Sequence, residues 1–137
     1  MWTQGVSKGT VLVTGASGFI GAAVVAGLSR QGWQVRAAAR NPAAVVALSG
    51  VERVAMPDLA APADWAPLLA GVSYLVHLAG IAHAHGVVSD SLYNRVNAEA
   101  VGELAEAARG RLNRFVLVSS ARAQTGFSCA RTIKEAL

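Results

Sequence analysis

Apolar residues recur along the chain with two alternating periods. Val11, Leu12 and Val13 form a short β-branched run ending at Thr14, which predicts a buried parallel strand over residues 10–14. From Phe19 the period changes. Ile20, Ala23, Val24, Gly27 and Leu28 share one face, which predicts a helix over 19–30 that Gly32 ends. The same alternation continues. Strands are expected at Trp33–Ala39, Val51–Ala55, Val72–Leu78 and Phe115–Val118. Short helices are expected from Pro42 through Leu48, and from Pro62 to Leu69 with Trp65, Leu68 and Leu69 buried. A long helix should run from a cap at Ser89 or Asp90 to about Arg109, with Leu92, Val96, Ala100, Leu104 and Ala108 on one stripe.

Five strands alternating with helices require parallel pairing through right-handed crossovers. The fold class is therefore α/β: a doubly wound, Rossmann-type parallel sheet, of expected order 3-2-1-4-5. Its ligand crevice should lie beyond the carboxyl ends of strands one and four, where strand order reverses. Residues 1–8 read as a flexible leader, 9–126 as the folded domain and 127–137 as a tail or the start of a second half.

The corner between the first strand and helix carries the chemistry. Gly15, Gly18 and Gly21 lie three apart. Gly15 permits the turn, Gly18 lets a phosphate approach the backbone, and Gly21 lets the helix pack closely on the strand. Unpaired N–H groups and the positive end of the helix dipole suit a pyrophosphate there.

Composition narrows the function classes. The chain has 137 residues, is 53% hydrophobic and 15% charged, and so should form one domain rather than a disordered segment. No apolar run approaches the roughly 20 residues of a membrane span. Cys129 is the only cysteine, which excludes an internal disulfide and makes the cytoplasm the default compartment. A net charge of +4 could suggest nucleic acid. The basic residues are scattered without interleaved aromatics, so a nucleic-acid partner is not expected. His77, His83 and His85 lack a neighbouring acidic or cysteine ligand, so no metal site is expected.

Five local patterns, in one order, resemble the extended short-chain dehydrogenase/reductases of the NAD-dependent epimerase/dehydratase group. Thr14-Gly15-Ala16-Ser17-Gly18-Phe19-Ile20-Gly21 resembles that family's TGxxGFIG. Asp58-Leu59, His77-Leu78-Ala79-Gly80, Asn97 and the strand from Phe115 to Ser120 resemble its later motifs. The resemblance covers about residues 9–126 and implies cofactor contacts at Gly15, Ser17, Gly18, Phe19, Ile20, Gly21, Arg40, Asp58, Leu59, Leu78, Ala79 and Gly80. It implies that Asp58 accepts from an adenine amino group; a turn aspartate after Pro57 is the alternative. It aligns Ser120 with the catalytic hydroxyl, with Ser119 as fallback. Asn97, on the apolar side of its helix, should tie that helix to a neighbouring strand.

After strand two, Ala39 stands where an NAD enzyme carries an acidic residue, and Arg40 follows. A guanidinium can pair with a 2′-phosphate, so NADP(H) is expected over NAD(H). One departure is decisive for chemistry. The family's Tyr-x-x-x-Lys is missing: no Tyr follows Tyr93, and Lys134 is the only late lysine. The expectation is the NADP(H)-binding half of an oxidoreductase or epimerase, truncated after strand five and inactive alone. Its small-molecule substrate would be a nucleotide sugar or a related alcohol or ketone. A non-catalytic NADP(H)-binding regulatory or structural subunit is the alternative, and homo-oligomerisation is left open.

Overall fold

The computed structural model describes residues 8–81 and 88–119. Five strands form one parallel sheet: β1 (Thr10–Thr14), β2 (Gln34–Ala39), β3 (Val51–Ala55), β4 (Tyr74–His77) and β5 (Arg114–Leu117). Their order is β3-β2-β1-β4-β5, with the reversal between β1 and β4. Register is continuous across the sheet: Thr14 stands beside Ala38 on one side and His77 on the other. β1 and β3 have the expected limits, and the ends of β2, β4 and β5 differ from the expected ones by at most two residues. Val118 N–H still donates to His77 O at 3.3 Å, so the β4–β5 ladder continues past the last strand residue.

The period-two alternation divides the core into two layers. Val11, Val13, Val35, Ala37 and Ala39 pack on the side of α1 (Phe19–Arg30), where Val25 is buried. Leu12, Ala38 and Leu75 pack on the other side, against Trp65, Leu68, Leu69, Val96, Ala100 and Leu104. β1 is apolar on both faces because both layers meet on it.

Two expected helices are much shorter than their patterns suggested. After β2 there is only a 3-10 turn at Pro42–Ala44, capped by Asn41, whose Oδ1 accepts from Ala43 N–H at 3.1 Å. Val45 then turns extended and buries its side chain, while Val46 and Leu48 remain exposed, so no apolar helical face exists. Before β4, α2 spans only Ala66–Leu69. A helix begun at Pro62 would place Pro67 in its interior, where the ring meets the carbonyl four residues back. Asp64 Oδ1 instead accepts from Ala66 N–H at 3.0 Å, and Trp65, Leu68 and Leu69 are buried as expected.

The long helix has three parts: α3 (Asp90–Asn94), a π turn (Arg95–Glu99) and α4 (Ala100–Ala108). Ser89 caps it by accepting from Leu92 N–H at 3.2 Å. Val96, Ala100, Leu104 and Ala108 are buried, but Leu92 is 38% exposed. The extra residue of the π turn rotates α3 relative to the buried face of α4 and turns Leu92 outward.

Candidate dinucleotide site

Beyond Thr14 the chain turns at Gly15, whose φ of +67° is a left-handed conformation costly for any side chain. Gly15 also has no room for one: a Cβ would lie 2.8 Å from Ala79 N, in the backbone after β4. Ala16 N–H donates to Ala38 O at 3.1 Å and Gly18 N–H to Gly15 O at 3.1 Å, so the corner is tied to β2 and to itself. At Gly21 a Cβ would overlap Gly15 O, which is why α1 can start so close to the corner. These three glycines draw the ends of β1, β4 and α1 into contact.

Gly18 is the N-cap of α1, with φ −74° and ψ 172°, and no side chain caps the helix. The first intrahelical bond is Ala22 N–H to Gly18 O at 2.9 Å. The amides of Phe19, Ile20 and Gly21 therefore have no partner within the helix. The first turn holds no acidic residue, so its positive end is uncompensated. Ser17, Gly18 and Ile20 are exposed around it, and Phe19 is 97% exposed.

The other expected site residues end on the same edge of the sheet. Arg40 follows β2 and is exposed, while Ala39 before it is buried. Arg36, four residues earlier, is committed elsewhere. It donates to Glu52 Oε2 at 2.8 Å and to the carbonyls of Leu68 and Ala70 at 3.0 and 2.7 Å. Asp58 lies in the loop after β3, exposed, and its Oδ1 accepts from Ala60 N–H at 3.0 Å. That is the turn aspartate; the carboxylate's second oxygen has no hydrogen-bond partner among the described residues. Leu59 is buried in the core, so its side chain is not offered to a ligand. Leu78 and Ala79 are half-buried and Gly80 is exposed. Ser119 follows β5 and is exposed, while Ser120 lies outside the described residues.

Several polar ties hold this edge. Asn97 in the π turn makes two bonds to one residue: Oδ1 accepts from Ile81 N–H at 2.8 Å, and Nδ2 donates to Ile81 O at 2.9 Å. The helix is thus tied to the loop after β4 rather than to a strand. Gly80 has no side chain because a Cβ would lie 2.7 Å from Asn97 Oδ1. Arg95, in the same turn, donates to Glu103 at 2.7 and 2.8 Å and to Ala61 O at 2.9 Å, bracing the loop that carries Asp58. These hydrogen bonds hold the Glu103 carboxyl below the ordinary carboxylate range. Sequence reasoning missed Arg95 altogether. It also left His77 without a role, although the order of strands puts it beside Thr14. Thr14 Oγ1 lies 2.7 Å from His77 Nδ1, both side chains buried, and burial holds the imidazole pKa down to about 4. His83 and His85 lie outside the described residues, as do residues 120–137.

Residues 11–127 match the profile of the NAD dependent epimerase/dehydratase family. The chain belongs to that family. Among curated relatives, ceramide reductase of Caulobacter vibrioides is 34% identical over 119 residues, covering 86% of this chain and 37% of its own. The NAD-dependent epimerase/dehydratase terH of Aspergillus terreus is 34% identical, covering 91% of this chain and 40% of its own. Among solved structures, MoeE5 in complex with UDP-glucuronic acid and NAD superposes with a TM-score of 0.69 at 32% identity, over 84% of this chain and 38% of that one. This epimerase/dehydratase-family chain therefore spans about two fifths of the length of the relatives it matches. Among the described residues no helix is long and apolar enough to cross a membrane.

Proposed function

We propose that this chain is the NADP(H)-binding half of a reductase or epimerase acting on a nucleotide sugar or a related alcohol or ketone. The observation that carries the reading is the corner at Gly15–Gly21. Its N-terminal amides are unpaired within the helix, it has no acid in the first turn, and backbone fills the places where Cβ atoms of Gly15 and Gly21 would stand. Such a corner accepts a diphosphate by shape and by charge. The matched structure of MoeE5 holds NAD and a UDP-sugar, which supports both the dinucleotide and the substrate class.

The preference for a 2′-phosphate rests on Arg40. With Ala39 buried and Arg36 bonded to Glu52, Arg40 is the cation left at the tip of β2. A nicotinamide cofactor supplies the hydride chemistry. The chain's own residues bind and orient it: the corner takes the diphosphate, Arg40 the 2′-phosphate, Asp58 the adenine amino group through its open oxygen, and Ala79 and Gly80 the nicotinamide ribose. Ser120 hydrogen-bonds the substrate oxygen. No Tyr-x-x-x-Lys occurs in the 137 residues, so binding without turnover is expected of this chain by itself.

A fluorescence titration with NADPH and NADH tests the reading. An arginine–phosphate bond contributes about 1.5–3 kcal/mol, so NADPH should bind roughly 10- to 100-fold more tightly than NADH. Arg40→Ala should remove the difference. Tighter binding of NADH would overturn the NADP(H) assignment, and no binding of either would overturn the dinucleotide reading. Turnover of a UDP-sugar that Ser120→Ala abolishes would overturn the binding-only expectation.

A further inference from the structure

Thr14 and His77 face each other across the β1–β4 pair at the crevice end, 0% and 1% exposed. Thr14 Oγ1 is 2.7 Å from His77 Nδ1. The same oxygen accepts from Ala79 N–H at 3.4 Å and from Leu78 N–H at 3.2 Å, an amide it shares with the Thr14 carbonyl at 3.3 Å. A hydroxyl has two lone pairs and one proton. With both lone pairs turned to amides, the proton goes to His77 Nδ1, and the neutral ring carries its own proton on Nε2. Nε2 has no hydrogen-bond partner among the described residues, so the tautomer is set from the Thr14 side. The Ala79 amide held in this way belongs to the Leu78–Ala79 peptide that leaves no room for a Cβ at Gly15, and Gly15 O in turn receives Gly18 N–H.

We propose that His77 is a positioning residue of the dinucleotide site. By taking the Thr14 hydroxyl proton at Nδ1, it leaves Thr14 Oγ1 to hold the Leu78 and Ala79 amides, and so fixes the backbone on which the diphosphate corner sits. The inference rests on the dinucleotide reading above and adds a residue that touches no ligand. A phenylalanine at position 77 fills the same space but cannot accept the proton. The Thr14 hydroxyl must then turn its proton elsewhere, which costs Ala79 N–H its acceptor and leaves Leu78 N–H with the Thr14 carbonyl alone. A glutamine restores an acceptor oxygen.

The test has two arms on the 137-residue chain. Without nucleotide, long-range 15N–1H NMR should show Nδ1 of His77 as an unprotonated and Nε2 as a protonated nitrogen. Amide exchange at Leu78 and Ala79 should accelerate in both Thr14→Val and His77→Phe. With NADPH, each of these variants should bind about tenfold more weakly, the worth of one backbone hydrogen bond. The double variant should be no weaker than either single one, and Thr14→Ser and His77→Gln should stay close to wild type. A proton on Nδ1, an unchanged affinity in His77→Phe, or losses that multiply in the double variant would overturn the proposal. If the wild type binds no dinucleotide, the cofactor reading falls. The tautomer and the two exchange rates then decide by themselves whether His77 sets this backbone.

Discussion

Gly18→Asp should make the protein more stable and its nucleotide binding much weaker. Gly18 is the N-cap of α1 in an extended conformation that an aspartate adopts without strain. A Cβ there meets only Gly15 O, at 3.3 Å, a tight contact that a shift of a few tenths of an ångström relieves. The new carboxylate would accept from the amides of Ile20 or Gly21, which have no intrahelical partner, and would sit at the positive end of the helix. Capping and the dipole together contribute about 1 kcal/mol, after the steric cost. In a domain of this size that raises Tm by roughly 3 °C. The same carboxylate occupies the amides that a diphosphate would use and repels its charge, so NADPH affinity should fall by about 100-fold or more, some 3 kcal/mol. Gly15→Ala provides the contrast. Its φ of +67° and the approach to Ala79 N should cost about 3 kcal/mol, lowering Tm by roughly 10 °C. Circular dichroism melts and NADPH fluorescence titrations read both quantities. A folded Gly18→Asp protein that binds NADPH as well as wild type would refute the placement of the diphosphate.

Three further outcomes follow from the polar ties. His77 has a pKa of about 4 when folded against 6.5 ordinarily, so between these values the unfolded chain binds more protons. Stability is then complete above pH 6.5 and falls as the pH drops toward 4, by about 3 kcal/mol in all; urea unfolding at pH 7 and pH 4.5 should show the loss, and His77→Phe should flatten it. Gly80→Ala should displace the Asn97 amide from Ile81 at a cost of about 2 kcal/mol, with little further cost in an Asn97→Ala background, measured by urea midpoints. Arg95→Met should release the loop at Ala61 from α4, seen as faster amide exchange at Ala60 and Ala63 with exchange in α4 unchanged.

Strands and their order were legible because their signals are local. β1 and β3 have the expected limits, and a crossover rule turns alternation into the order β3-β2-β1-β4-β5. The helices between β2 and β3 and between β3 and β4 were less legible. Pro42 and Pro62 announce starts, but a start becomes a helix only where an apolar face follows. Val46 and Leu48 have no layer to pack on, and Pro67 confines α2 to one turn. The π turn left no mark that spacing could reveal, since Val96, Ala100, Leu104 and Ala108 keep an even step through it. Its trace is in Leu92, which the pattern buries and the fold exposes.

The site was legible in its glycines and obscure in its braces, for one physical reason. Several polar side chains around the crevice spend hydrogen bonds on backbone: Thr14 on Leu78 and Ala79, Asn97 on Ile81, Asp58 on Ala60, and Arg95 on Ala61 beside its pair with Glu103. Bonds of this kind join residues far apart in the chain, and nothing in the composition of either partner marks them. Gly15 and Gly21 mark themselves because their positions forbid a Cβ. A crevice built this way offers a ligand shape and amides, held in place by the chain's own hydrogen bonds before anything binds. Such preorganisation suits a part common to every substrate of the reaction, which a cofactor diphosphate is. Among the described residues, Arg40 and Asp58 are the charged side chains exposed at this edge. The choice between NADPH and NADH should therefore move with Arg40 alone, while substitutions at Thr14, Asn97 or Arg95 weaken both nucleotides in equal proportion. Titrating the two nucleotides against each of these variants separates selectivity from frame, and a brace variant that altered the NADPH-to-NADH ratio would break the distinction.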